Sequence, residues 1–152
     1  MYLFRYMKKI SSLTLAALCA SAVIDLTGFA LGLFYAGVFY DNLAHFITTF
    51  SLVALVTELY LRHEMNQRRV RRYFTARRAL VVGAATGLLA GMSWEGFETV
   101  LNLAFPETIY NPPVDSVVDT AFGVAGGALA LWRTAALFGL IPPAPIPTKS
   151  SR

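Results

Sequence analysis

Four apolar stretches of about 20 residues, each carrying at least one acid, dominate this sequence. They predict helices at residues 11–34, 41–61, 79–103 and 115–131. A helix of about 20 apolar residues crosses a hydrocarbon core of roughly 30 Å. Only 14% of the residues are charged, whereas a soluble domain has roughly 25%. We therefore predict an all-α membrane protein, a bundle of four transmembrane helices.

The basic residues predict how these helices are oriented. All 13 lysines and arginines lie in the N-terminal segment, in the loop 62–78, or after residue 132. The links 35–40 and 104–114 contain none. Because cytoplasmic loops of membrane proteins are enriched in lysine and arginine, both termini and the loop 62–78 are predicted to be cytoplasmic. We expect a multi-pass protein of a bacterial inner membrane that contacts lipid and binds no nucleic acid.

The ends of the chain suggest its domain organisation. Residues 1–141 are predicted to form one four-helix transmembrane domain, and the proline-rich tail 142–152 is expected to be disordered. A basic N-terminus before an apolar run also resembles a signal peptide, with Ala20-Ser21-Ala22 as a cleavage site. Because the apolar run continues beyond Ala22, an uncleaved helix is favoured. Oligomeric state is not predicted.

Ionisable side chains inside the apolar stretches are the main functional signal. A carboxylate in hydrocarbon costs several kcal/mol unless it is paired, wet or bound to a metal. Six such groups are predicted at the outer end of the bundle: Asp41, His45, Glu95, Glu98, Asp115 and Asp119. Asp25 is predicted to lie deeper, on the floor of the same pocket. Glu58 falls on another face, and a surface ion pair with Arg62 is expected there.

Small residues indicate which helix faces pack together. Within each of three helices, the two outer ionisable residues are three or four positions apart and so share a face. Gly83, Gly87 and Gly91 form a line that ends at Glu95, and glycines likewise follow the acids of the fourth helix. Small residues at this spacing let membrane helices approach closely. We therefore expect the acids to point into the bundle, with Gly28 and Gly32 on the packing face of the first helix.

Five carboxylates and one imidazole predict a metal site. Carboxylates and histidines at helical spacing are the ligands of metal sites in four-helix bundles. The oxygen-rich set, with its one nitrogen, suits Zn²⁺, Mn²⁺, Fe²⁺ or Ca²⁺ better than copper. A catalytic site would perform metal-assisted hydrolysis or transfer on a lipid or lipid-linked substrate, with Glu98 or Asp119 as general base. Tyr40 and Trp94 are predicted to flank the cluster.

Two further hypotheses explain the same residues. An ion or proton relay needs a wet path from the cluster through Asp25 toward the cytoplasm. A structural subunit needs only a hydrogen-bonded polar core that fixes helix pairing. Capping also accounts for part of the pattern, because Asp41 and Asp115 begin their predicted helices and aspartate is a favoured N-cap. Residues within the helices, such as His45, are not explained by capping.

Three short motifs resemble a known family. They are Tyr40-Asp41-Asn42-Leu43-Ala44-His45-Phe46, then Trp94-Glu95-Gly96-Phe97-Glu98, then Asp115-Ser116-Val117-Val118-Asp119 followed by Gly123 and Gly127. Together they resemble the YjdF-like family of bacterial inner-membrane proteins and the broader VanZ-like group, some members of which are linked to glycopeptide resistance. The VanZ-like group commonly has asparagine where this chain has Asp119, so the YjdF-like family fits better. The resemblance covers about residues 40–130 and implies the bundle and the acid cluster, but no substrate.

Overall fold

The chain folds into four long helices. The structure is a computed structural model that describes residues 10–35, 38–65, 75–104 and 112–141. The helices are α1 (Ser12–Leu31), α2 (Val38–Met65), α3 (Ala76–Ala104) and α4 (Pro113–Leu137), with a short 3-10 turn at Leu33–Tyr35. No strand occurs in the described ranges, and the predicted all-α fold is confirmed. The predicted tail 142–152 and most of the loop 62–78 lie outside those ranges.

All four helices are long and apolar enough to cross a membrane. Mean hydropathy over 18-residue windows lies between 1.2 and 1.8. Large apolar side chains such as Leu26, Phe29, Leu89 and Val117 are exposed on the outside of the bundle. Soluble proteins rarely expose contiguous apolar surface on this scale, whereas in a bilayer these side chains face lipid. The described residues therefore form a membrane bundle.

Both ends of α1 have clear local causes. The Ser11 hydroxyl accepts a hydrogen bond from the Thr14 N–H at 3.3 Å and so caps the first turn. At the other end Gly32 has a φ of 65°, a left-handed conformation that glycine adopts without strain. The helix thus ends at Leu31, three residues earlier than predicted. The packing role expected of Gly32 is wrong, because a Cβ added there would have nothing within 4 Å.

The helix α4 is longer at its C-terminus than predicted. It ends at Leu137 rather than at residue 131, because a Schellman motif follows it. The Leu140 N–H donates to the Ala135 carbonyl at 3.0 Å, and the Gly139 N–H donates to the Ala136 carbonyl at 2.9 Å. Gly139 has a φ of 63°, as that motif requires. This turn buries Leu140 against the bundle.

Glycines bring α4 into close contact with both α3 and α2. A Cβ added at Gly83 would collide with the Gly127 carbonyl oxygen, and one added at Gly127 would lie 2.7 Å from the Gly87 Cα. On the adjacent face of α4, about 100° around the helix, a Cβ at Gly126 would lie 3.2 Å from the Phe50 nitrogen. The predicted line of small residues on α3 is confirmed, since Gly83, Gly87 and Gly91 are all buried and Glu95 continues the line. The helices α2, α3 and α4 therefore form the tight part of the bundle.

In contrast, the described contacts of α1 with other elements are to α2 and to the 3-10 turn. Among the described residues, no Cα of α1 lies within 8 Å of a Cα of α3 or α4. The apolar core lies in the half of the bundle that is predicted to be cytoplasmic. Its buried residues are Val53, Ala54, Leu61, Ala79, Ala130, Leu131, Ala135 and Leu140. At the opposite end, the absence of α1 contacts leaves a gap between α1 and α3.

Candidate metal centre

A buried histidine lies at the centre of the predicted cluster. His45 Nε2 is 3.5 Å from Asp41 Oδ1, 3.7 Å from Glu95 Oε1 and 3.9 Å from Asp119 Oδ2. The side chains of His45 and Asp119 are 6% and 3% exposed. Three helices thus bring carboxylates to one imidazole, as the spacing of the acids predicted.

The close packing of the helices explains this convergence. Asp41 and His45 are four residues apart on α2 and so share one face. Glu95 continues the glycine line of α3, and Asp119 lies on the face of α4 that also buries Gly123 and Gly127. The faces that let α3 and α4 approach each other therefore carry the acids into the bundle.

The cluster contains two overlapping sets of potential metal ligands. Asp41, His45 and Asp119 form one set, and His45, Glu95 and Glu98 form the other. Within each set the ligand atoms lie within 4.8 Å of one another. Ligands bound at 2.0–2.2 Å are about 3 to 4 Å apart, so small side-chain movements would complete either set. The donor set fits a divalent ion with mainly oxygen ligands.

Asp115 belongs to neither set, although it lines the same cavity. It lies in the first turn of α4, where Pro112 is the N-cap. Asp41 likewise lies in the first turn of α2, which begins at Val38. The expectation that these two aspartates are N-caps is therefore wrong, because each helix begins before its aspartate.

Asp119 contains a buried oxygen without a donor. The residue is 2% exposed, and its Oδ1 has no hydrogen-bond partner among the described residues. A buried acceptor left unsatisfied costs about 1 to 3 kcal/mol, and more when it is charged. Such an atom is a strong candidate to bind a cation.

Positive side chains are absent from this end of the described bundle. Arg62, Arg77, Arg78 and Arg133 lie at the ends of α2, α3 and α4 that are opposite to the cluster. His45 is thus the only basic side chain among the described residues that approaches the acids. Since like charges in a low-dielectric site repel strongly, a bound cation would relieve this repulsion.

The other predicted residues surround the cluster in different ways. Asp25 accepts hydrogen bonds from Ser21 at 3.1 Å and from Thr48 at 3.0 Å, and it lines the cavity. The Trp94 Nε1–H donates to Glu98 Oε1 at 2.8 Å. Tyr40 instead joins α1 to α2, since its hydroxyl donates to the Ile24 carbonyl at 2.7 Å.

A cavity of about 230 Å³ adjoins the cluster. Its ionisable lining residues are Asp25, Asp41, His45, Glu98 and Asp115, and much of the remainder is aromatic or aliphatic. α1 and α3 contribute opposite walls without packing against each other. The cavity lining therefore combines acidic side chains with apolar ones.

Glu58 was wrongly expected at the surface. Its ion pair with Arg62 is present, with Arg62 Nε 3.1 Å from Glu58 Oε1, but Glu58 is 0% exposed. It also accepts hydrogen bonds from the Ser11 N–H at 2.6 Å and from the Thr14 hydroxyl at 2.6 Å. The face of α2 that turns away from the cluster is covered by α1. The polar residues Ser11 and Thr14 at the start of α1 are the sequence feature that could have indicated a buried partner for Glu58.

These features define a class of protein: a helical membrane protein with a buried histidine–carboxylate cluster beside a cavity. The chain belongs to the family described as "Predicted membrane protein (DUF2238)", whose family model matches residues 1–139. No curated protein and no solved structure matches the chain. The family match confirms that this is a membrane protein; the YjdF-like and VanZ-like resemblances stay predictions.

Proposed function

We propose that the protein binds a divalent metal ion at the histidine–carboxylate cluster and uses it on an envelope lipid. The observation that carries the proposal is the convergence of two ligand sets on His45, next to a buried Asp119 oxygen that has no donor in the described part of the chain. An uncompensated cluster of this kind is costly in a bilayer, whereas a divalent ion would offset its charge. Zn²⁺, Mn²⁺, Fe²⁺ and Ca²⁺ all fit the donor set.

The proposed location is a bacterial inner membrane, with the cluster facing outward. Every lysine and arginine of the chain lies on the side that this orientation places in the cytoplasm. The resemblance to YjdF-like proteins supports the same location. In this orientation the cluster meets lipids of the outer leaflet and substrates from outside the cell.

The proposed chemistry is metal-assisted hydrolysis or group transfer. A bound ion would polarise a substrate oxygen and favour loss of a proton from water. With Asp41, His45 and Asp119 as ligands, Glu98 would accept the proton; with His45, Glu95 and Glu98 as ligands, Asp119 would accept it. Because the Trp94 N–H donates to one oxygen of Glu98, it fixes the orientation of that carboxylate.

A proton relay is the second candidate, and the polar contacts between α1 and α2 favour it. Asp25, Ser21 and Thr48 form one hydrogen-bonded group, and Glu58 with Thr14 forms another. Ser21 and Thr14 are seven residues apart on α1, or about 10.5 Å. The intervening Ala17 and Leu18 offer no polar side chain, so a relay would need water in that interval. A purely structural polar core explains Asp25 but not the Asp119 oxygen.

Elemental analysis of the purified protein tests the metal proposal. We expect stoichiometric metal in the wild type and its loss in His45→Ala and Glu95→Gln. Glu58→Gln is the matched control, because it alters a buried carboxylate outside the cluster and should retain the metal. Circular dichroism would confirm that each variant is folded. A wild type without metal after reconstitution with all four ions would overturn the proposal.

A further inference from the structure

We propose that the cavity binds a phospholipid with an ammonium headgroup, which enters sideways between α1 and α3. The inference deepens the proposed function and rests on it, since it names the lipid on which the metal centre acts. Three properties carry it: an opening toward lipid, the charge of the cluster, and aromatic rings beside Glu98.

The cavity reaches the lipid-facing surface. Phe29 on α1 and Trp94 and Phe97 on α3 line the cavity, yet they are 69%, 42% and 52% exposed. Because α1 and α3 do not pack together in the described part of the chain, these side chains form the edges of a lateral opening. A lipid can enter there without leaving the bilayer.

The size of the cavity suits part of a lipid rather than a whole one. A volume of about 230 Å³ holds roughly eight groups the size of a water molecule, at about 30 Å³ each. That is sufficient for the phosphate and ethanolamine of one headgroup. The glycerol and the acyl chains would stay among the exposed apolar side chains outside the opening.

The charge of the cluster selects against an anionic headgroup. Five carboxylates are opposed by at most four positive charges when two divalent ions bind, because a histidine ligand is neutral. The described residues at this end include no lysine or arginine, the side chains that normally hold anionic lipid headgroups. An ammonium group, in contrast, forms strong charge-assisted hydrogen bonds with carboxylates.

Aromatic rings provide a second contact for the ammonium group. The Trp94 and Phe97 ring centroids are 5.8 Å apart, and both side chains line the cavity together with Glu98. Faces of tryptophan and phenylalanine attract cations. Rings and a carboxylate around one small volume therefore fit an aminoalcohol headgroup such as ethanolamine.

Fluorescence quenching by brominated lipids tests the proposal. Trp132→Phe leaves Trp94 as the sole tryptophan, and Trp94→Phe leaves Trp132, which lies near the far end of α4 and is exposed. Each variant is reconstituted in phosphatidylglycerol vesicles with a small fraction of brominated phosphatidylethanolamine or brominated phosphatidylglycerol. We expect brominated phosphatidylethanolamine to quench Trp94 about two- to five-fold more, the factor given by one exposed cation–π contact. Trp132 should be quenched equally by both lipids.

Two further variants, each made with Trp132→Phe, locate the effect. Ala90→Phe fills the cavity and Glu98→Gln removes one charge without filling it; both should reduce the difference at Trp94. Equal quenching of Trp94 by the two lipids, or the same preference at Trp132, would overturn the proposal.

Metal content measured on the same samples separates the two proposals. Bound metal with equal quenching would overturn the lipid site alone. Stronger quenching of Trp94 by brominated phosphatidylethanolamine in samples that contain no metal would support the lipid site and overturn the metal centre.

Discussion

The two ends of the bundle contain buried carboxylates with opposite surroundings. Glu58 is surrounded by donors, namely the Ser11 N–H, the Ser11 and Thr14 hydroxyls and the Arg62 guanidinium. In the histidine–carboxylate cluster, several acids share one imidazole, and the Asp119 Oδ1 has no donor among the described residues. A carboxylate with a full set of donors stabilises a fold, whereas one without them is suited to bind a cation.

The largest expected effect is on stability, at the donor-rich end. Glu58→Leu leaves Arg62, Ser11 and Thr14 without their acceptor, and breaking a buried ion pair costs about 3 to 5 kcal/mol. We expect the free energy of unfolding to fall by that order in detergent micelles, with metal content of the folded fraction unchanged. For Glu58→Gln, which keeps an acceptor, the free energy of unfolding should fall less. If the free energy of unfolding of Glu58→Leu equals that of the wild type, the donor-rich carboxylate does not stabilise the fold and the contrast between the two ends is wrong.

The second effect lies at the glycine contact between α3 and α4. In Gly127→Ala the added Cβ would lie 2.7 Å from the Gly87 Cα, so the helices must separate. Overpacking of this kind costs about 1 to 3 kcal/mol, and the separation should weaken metal binding while α1 stays attached. Gly96→Ala is the control on the same helix pair, because a Cβ there has nothing within 4 Å. Equal unfolding free energies for the two variants would contradict the packing argument.

A smaller effect of opposite sign is expected within the cluster. Asp119→Asn removes a charge from a buried carboxylate whose Oδ1 has no donor among the described residues, and unfolding of the metal-free protein should require about 1 kcal/mol more. Metal affinity, measured by calorimetric titration, should fall at the same time. Asp25→Asn is the comparison, since Asp25 has donors from Ser21 and Thr48 and should lose stability instead. If metal-free Asp119→Asn is instead less stable than the metal-free wild type, Asp119 stabilises the fold as Glu58 does, and the argument for a cation site fails.

The smallest effect on the free energy of unfolding is expected at the donor to Glu98, where the change concerns metal affinity instead. Trp94→Phe retains a ring and removes the N–H that lies 2.8 Å from Glu98 Oε1. Outer partners of metal ligands typically change affinity by about 10- to 100-fold, and we expect the lower value because Trp94 is 42% exposed. Trp132→Phe should bind metal like the wild type. An unchanged affinity in Trp94→Phe would remove Glu98 from the proposed ligand set.

Much of the fold follows from the sequence because the bilayer restricts the choices. Apolar runs of sufficient length predict the four helices, and glycines at a spacing of four predict the inward face of α3 that ends at Glu95. The end of α4 was missed because the Gly139 turn signal lies beyond a polar interruption at Arg133 and Thr134. Turn chemistry, rather than hydropathy, fixes that boundary.

The cluster was more predictable than the opposite end. Glu95 and Asp119 converge on His45 because each lies on a packing face that small residues reveal. Glu58 was misplaced because helical periodicity gives the angle of a side chain but not the neighbour that covers it. Similarly, Tyr40 lies next to Asp41 in sequence, yet it hydrogen bonds to α1 since a helix turns by about 100° per residue.

In the proposed function, the attachment of α1 to α2, without contact to α3 or α4 among the described residues, would separate recognition from chemistry. All six predicted cluster residues lie on α2, α3 and α4, whereas α1 supplies one wall of the cavity through Asp25 and Phe29. Substitutions on that wall can alter which molecules are admitted while the ligand set is preserved. Relatives with different preferences are therefore expected to diverge first along the first helix.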